Sequence, residues 1–101
     1  MNNIYNHIIE HRIRATADLC KHGDGKMLQR ISVPVGYRGL GHASALLRTI
    51  LADADREGIT LYLCIMPKGG GLNELQLRRW YERYGFVFHN ALIHKRLPKE
   101  V

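Results

Sequence analysis

The chain has little of what most anchoring and catalytic devices are built from. Of its 101 residues only Cys20 and Cys64 are cysteines, and they form no C-x-x-C pair. That count argues against a disulfide framework, and Cys20-Lys21-His22 with a distant Cys64 lacks the ligand spacing of a structural zinc site. The longest apolar run, residues 61–66, is bounded by Thr60 and Pro67 and falls far short of the roughly 20 residues that a membrane-spanning helix needs. The chain opens Met1-Asn2-Asn3 rather than on a basic and then apolar leader, so the expectation is a reduced, cytoplasmic protein with no membrane partner. No Ser/His/Asp order and no paired carboxylates suggest a hydrolase. His7 and His11 have i, i+4 spacing, but in or beside a strand that separation is roughly 13 Å, too far to share one metal. No internal repeat, linker or low-complexity stretch interrupts the chain.

What is present fits one compact domain over residues 1–101, with 46% hydrophobic and 24% charged residues and room for one sheet and a few helices. Fifteen Lys plus Arg against nine Asp plus Glu give a formal charge of +6. That excess favours an anionic partner, whether a phosphorylated cofactor, a nucleic acid or an acidic protein face. So short a chain leaves sheet surface or an edge strand exposed, so a homodimer or larger assembly is expected.

The periodicity changes along the chain. Positions 9, 11, 13, 15, 17 and 19 are Ile, His, Ile, Ala, Ala and Leu, while Glu10, Arg12, Arg14, Thr16 and Asp18 alternate with them, which is a strand pattern. Gly and Asp at 21–25 supply a tight reversal, and residues 27–33 resume a β-rich run, so the two runs form an antiparallel hairpin. From Gly39 the apolar positions become Ala43, Leu46, Leu47, Ile50, Leu51 and Ala54, the stripe of an amphipathic helix ending near Gly58. Residues 59–66 are nearly all apolar, as a central strand covered on both faces would be, and joining it to residues 27–33 through a helix makes a parallel β-α-β unit.

A second helix begins after the glycines at 69–71. Asn73 can cap it, Gln76 can bond back, and Leu72 can staple onto Leu77. Leu77, Trp80, Tyr81 and Tyr84 make its apolar stripe, and Gly85 is a natural left-handed stop. Residues 86–88 and 91–97 read as a closing hairpin around His89-Asn90. The fold class is therefore α+β: a small, mixed, mostly antiparallel sheet with one parallel β-α-β unit.

The chemistry concentrates where the 27–33 strand meets the first helix, at Arg38-Gly39-Leu40-Gly41-His42-Ala43. The first-turn amides of a helix have no intrahelical acceptor and carry the positive end of the dipole, so they can hold phosphate oxygens. Glycines let the backbone approach such an anion closely, and an arginine adds a charged donor. A tight strand-to-helix turn would also explain the glycines. This segment resembles the R/Q-x-x-G-x-G/A signature of GNAT acetyltransferases, and Trp80-Tyr81-Glu82-Arg83-Tyr84-Gly85-Phe86 is similar to that family's aromatic-Tyr-x-x-x-Gly-Phe helix end. The likeness covers residues 26–97.

The resemblance implies a truncated GNAT fold and an N-acetyltransferase that uses acetyl-CoA as cosubstrate, without a metal, on an amine acceptor. It implies that the backbone of Ile31 and Val33 pairs with the pantetheine arm. It also implies that the amides of Arg38, Gly39, Leu40, Gly41, His42 and Ala43 hold the pyrophosphate, and that Tyr81 returns a proton to the departing thiolate. Packing alone would also account for Tyr81, and Trp80 and Tyr84 read as core. The departures are specific: the helices that common GNAT chains carry between their first strands are missing, and residues 27–33 contain no Asp or Glu to act as general base. The family's asparagine falls one position away, at Asn73. Two other readings follow from these features: a GNAT-like module that binds CoA or a protein without turnover, and a basic nucleic-acid binder using the alternating cations and aromatics of 78–84, whose arginines a solvated helix face also explains.

Overall fold

Three antiparallel pairs of consecutive strands and two helical crossovers build the sheet. The computed structural model describes residues 3–9, 12–33, 41–65, 73–90 and 93–99. In it, β2 (Arg12–His22) and β3 (Gly25–Ser32) pair antiparallel around Gly23 and Asp24, with Gly23 at φ 54°, a conformation that glycine takes without a steric penalty. Helix α1 (His42–Glu57) buries Leu46, Leu47, Ile50, Leu51 and Ala54, the stripe that its spacing predicts. It stops at left-handed Gly58, whose amide donates to the carbonyls of Ala54 and Asp55. The chain then returns as β4 (Leu61–Cys64), parallel to β3. Helix α2 (Glu74–Glu82) leads to β5 (Val87–Asn90) and β6 (Ile93–Arg96), an antiparallel pair. The sheet order is β1-β2-β3-β4-β6-β5, and β3–β4 is its one parallel pairing among the described residues.

Three sequence expectations need correction. A strand not anticipated, β1 (Ile4–Ile9), pairs antiparallel with β2 along the outer edge, and Ile9 ends it rather than opening β2. Ile59 and Thr60 precede the central strand instead of belonging to it. His89 and Asn90 lie within β5, where a register shift between Phe88 and Asn90 leaves His89 as an extra residue, so the reversal falls later in the chain. The expected staple from Leu72 lies outside the described residues.

The two faces of the sheet differ. Directly opposed residues share a face, so Tyr5, Ala15, Ala17, Leu19, Leu28, Leu61, Leu63, His94 and Arg96 line one side, and all are buried. Both helices cover that side. The Arg96 guanidinium donates to both carboxylate oxygens of Asp55 in α1 at 2.8 and 3.0 Å, and its Nε donates to the Tyr84 carbonyl just beyond α2 at 3.0 Å. One buried side chain therefore fixes the ends of both helices against β6. The opposite face carries Ile4, Ile8, Ile13 and Val87, all exposed, beside a buried Tyr62 whose hydroxyl donates to Asp24 at 2.7 Å.

Candidate functional site

The carboxyl end of β3 runs past its pairing with β4, and α1 starts on a glycine without a side-chain cap. Pairing between β3 and β4 covers Lys26, Met27 and Leu28 only. Just beyond, Asp18 pairs with Arg30 and Leu19 with Leu28, so Gln29 is an extra residue that bends β3. Ile31 and Val33 follow this bulge, past the stretch paired with β4, and pack half-buried against the core. Of the signature residues, Arg38, Gly39 and Leu40 lie outside the described residues. Gly41 is the N-cap of α1 at φ 82°, and its carbonyl accepts the first helical hydrogen bond, from the Ala45 amide at 3.0 Å. No side chain caps this end and no acidic residue occupies the first turn. Among the described residues nothing lies within 4 Å of a Cβ built on Gly41, so a side chain there would meet no described neighbour. The first turn thus presents the positive end of the dipole with no acidic residue of its own to neutralise it. His42 and Ala43 follow, both half-buried, and the His42 ring lies 5.2 Å from that of His7 on β1.

Helix α2 begins in the opposite manner. Asn73 accepts from the Gln76 amide at 2.9 Å while the Asn73 amide donates to Gln76 Oε1 at 3.0 Å, a complete capping box. That hydrogen bonding commits the Asn73 side chain to its own helix. Tyr81 sits in the last turn, half-buried, with ring edges against Trp80 at 4.8 Å and Phe86 at 5.6 Å. Burial pushes its phenol up to about 12, so the hydroxyl keeps its proton at neutral pH and can donate one. Leu77, Trp80 and Tyr84 also pack partly buried on the core, as the stripe predicts.

Several groups were invisible to pattern reading. His94 on β6 is buried, with Nδ1 lacking a hydrogen-bond partner among the described residues. The His7–His42 pair and the Asp55–Arg96 ion pair join residues far apart in sequence, and no local spacing signals either. Two cavities lined by described residues lie away from the start of α1. One of about 710 Å³ lies along Gln76, Arg79, Trp80, Glu82 and Arg83, and one of about 370 Å³ lies by the β2–β3 turn. Among the described residues no group of three or more His, Cys, Asp or Glu could hold a metal, and no helix is long and apolar enough to cross a membrane.

A family model described as an acetyltransferase (GNAT) domain matches residues 3–88. A search of curated proteins finds no match. Among solved structures, the fold superposes on the ribosomal-protein-S18-alanine N-acetyltransferase from Escherichia coli with a TM-score of 0.76 at 19% identity, covering 93% of this chain and 67% of that one. It superposes on PaiA N-acetyltransferase from Thermoplasma acidophilum, solved in complex with coenzyme A, with a TM-score of 0.72 at 14% identity over 94% and 61% of the two chains. With the anti-CRISPR protein AcrVA5 the TM-score is 0.71 at 12% identity, covering 93% of this chain and 98% of that one. At such identities the likeness is one of fold. The chain spans about two thirds of the first enzyme's length, less of the second, and nearly all of the third.

Proposed function

Since this chain belongs to the GNAT acetyltransferase family, we propose that it is an N-acetyltransferase that takes its acetyl group from acetyl-CoA and delivers it to a primary amine of a small molecule or protein. The start of α1 carries this reading. A helix end with no side-chain cap, with Gly41 in the left-handed region and preceded in sequence by Arg38 and Gly39, has the chemistry to hold a pyrophosphate through main-chain amides. Ile31 and Val33, past the part of β3 that pairs with β4, would present backbone groups on that side to the pantetheine arm. The protonated Tyr81 phenol would supply a proton to the departing sulfur as the amine takes the acetyl group.

The direct test is ligand-induced stabilisation. CoA at about 100 times its Kd should add about 2.7 kcal/mol, a rise in melting temperature on the order of 10 °C for a chain of this size. An unmoved melting curve at saturating CoA would remove the cradle. A second reading, a module that binds CoA or a protein without turnover, is favoured by β3, which has no Asp or Glu between Gly25 and Ser32 to serve as a base. Clear CoA binding with no acetylated product from a broad amine panel would select it.

A further inference from the structure

The strongest anomaly in the molecule lies on the sheet face that neither helix covers. Ile8 of β1 is paired with Ile13 of β2, and Ile4 stands four residues further along β1, on the same face. All three are well exposed, at 59%, 48% and 65%. Single exposed isoleucines need no explanation, but three on one strand pair, facing the same way, form a patch. Between them lie Asn6 and Thr16, directly opposed.

We propose that this face is a homodimer interface, two copies packing sheet on sheet through β1 and β2. Self-complementarity favours a second copy as the occupant. Ile4 is about 13 Å from the Ile8–Ile13 pair along the strand. A twofold axis lying in the interface and crossing the strands at Asn6 and Thr16 sets Ile4 of each copy over the Ile8–Ile13 pair of its partner. The same axis brings Asn6 and Thr16 against their equivalents, where their side chains can hydrogen-bond across the contact.

The size of the face agrees with this geometry. The molecule measures 35 × 28 × 21 Å. The short dimension suits one sheet plus one helical layer, which leaves a face of about 35 by 28 Å, enough for the roughly 800 Å² that each partner contributes to a standard interface.

Multi-angle light scattering on the full chain at tens of micromolar should give twice 11.6 kDa. Ile8→Lys and Ile13→Lys should each shift the species to the monomer mass. Because both side chains are exposed, circular dichroism should stay unchanged. Leu75→Lys, at an equally exposed position on α2, should remain dimeric. A wild-type chain that is monomeric at these concentrations overturns the proposal. So does a dimer that survives both isoleucine substitutions, which would place the contact elsewhere. A ladder of larger species would indicate edge pairing through β1 and would count equally against it.

Discussion

The two helices start in opposite ways, and the contrast separates structure from function in this fold. Helix α2 satisfies its own first turn: Asn73 and Gln76 exchange hydrogen bonds, and Glu74 adds a carboxylate at the positive end of the dipole. Helix α1 does neither, although its N-cap is followed by a serine at its third position, and its cap is a glycine with no side chain to contribute. A helix can gain about 1 kcal/mol from a good N-cap. An end that leaves this unclaimed is suited to an external anion, whereas a fully capped end is suited only to holding the helix. At their other ends the helices are alike, because Arg96 ties Asp55 of α1 and the carbonyl beyond α2 to the same strand.

If α1 holds the donor and α2 presents the acid, the largest effect belongs to Tyr81. Tyr81→Phe should lower turnover about 10²- to 10⁴-fold with unchanged CoA affinity, because the ring and its packing remain while the proton donor is lost. Tyr84→Phe, one turn on, should have nearly normal activity. Equal effects at both positions in a steady-state assay would assign Tyr81 to packing.

Breaking the shared anchor should affect both helices together. Asp55→Ala leaves the Arg96 guanidinium, whose side chain is 4% exposed, without its counter-charge. Loss of one partner of a buried pair costs about 3–5 kcal/mol, a fall in melting temperature on the order of 15 °C. The same pair sets an acid limit. The Arg96 hydrogen bonds hold the Asp55 carboxyl below the usual carboxylate range, with desolvation opposing and the Lys99 amide assisting. A carboxyl depressed in the folded state contributes stability that is complete above its unfolded value of about 3.9 and is lost as the pH falls through the folded value. Acid melts should therefore show the wild type losing stability below about pH 4. The Asp55→Ala curve should be flatter in that range, and parallel curves would contradict the assignment.

The contrast between the two starts can be tested with one substitution at each. Asn73→Ala should cost about 1 kcal/mol and leave the CoA-induced shift intact. Gly41→Val forces a β-branched residue to φ 82° and should cost about 1–2 kcal/mol, while placing methyl groups at the start of α1. Losses of stability would then be similar, but only the glycine variant would lose the CoA response. A CoA shift that survives Gly41→Val would make the two helix starts equivalent.

How much of this was legible in the sequence follows from how local each signal is. The stripe of α1, its Gly58 stop and the capping box of α2 lie within a few residues, and each could be read directly. Strand β1 was missed because its pattern runs opposite to the usual rule, with Ile4 and Ile8 on the open face and Tyr5 turned into the core. His89-Asn90 resembled a reversal because asparagine favours turns, whereas the extra residue of β5 accommodates them within the strand. The Asp55–Arg96 pair spans 41 positions and the ring pair of His7 and His42 joins a strand to a helix, so both exist only once the sheet is assembled. Of the candidate site, the glycine signature and Tyr81 were readable as a motif, while the left-handed cap at Gly41 and the burial of the phenol required the fold.

The smallest expected effect is also the most discriminating, because it should carry opposite signs in stability and binding. Ser44 is the third residue of α1, the position that Gln76 occupies in α2. Ser44→Glu would place a carboxylate in the first turn of α1, and complementing the dipole there should raise stability by about 0.3–1 kcal/mol in the absence of ligand. The same charge would stand where the proposed pyrophosphate is held, and like charges about 4 Å apart near a protein surface repel by roughly 1–4 kcal/mol, a loss of CoA affinity of about tenfold or more. Ser44→Gln separates charge from shape, since it keeps the length and hydrogen-bonding capacity of glutamate without the repulsion, so its affinity should return toward wild type. Raising the salt concentration should narrow the gap between the Glu and Gln variants, because an exposed repulsion of this kind is screened. Calorimetric titration of CoA into the three proteins reads all of this directly. If Ser44→Glu binds CoA as tightly as Ser44→Gln at low salt, no anion sits at the start of α1, and the open helix end has only a structural meaning.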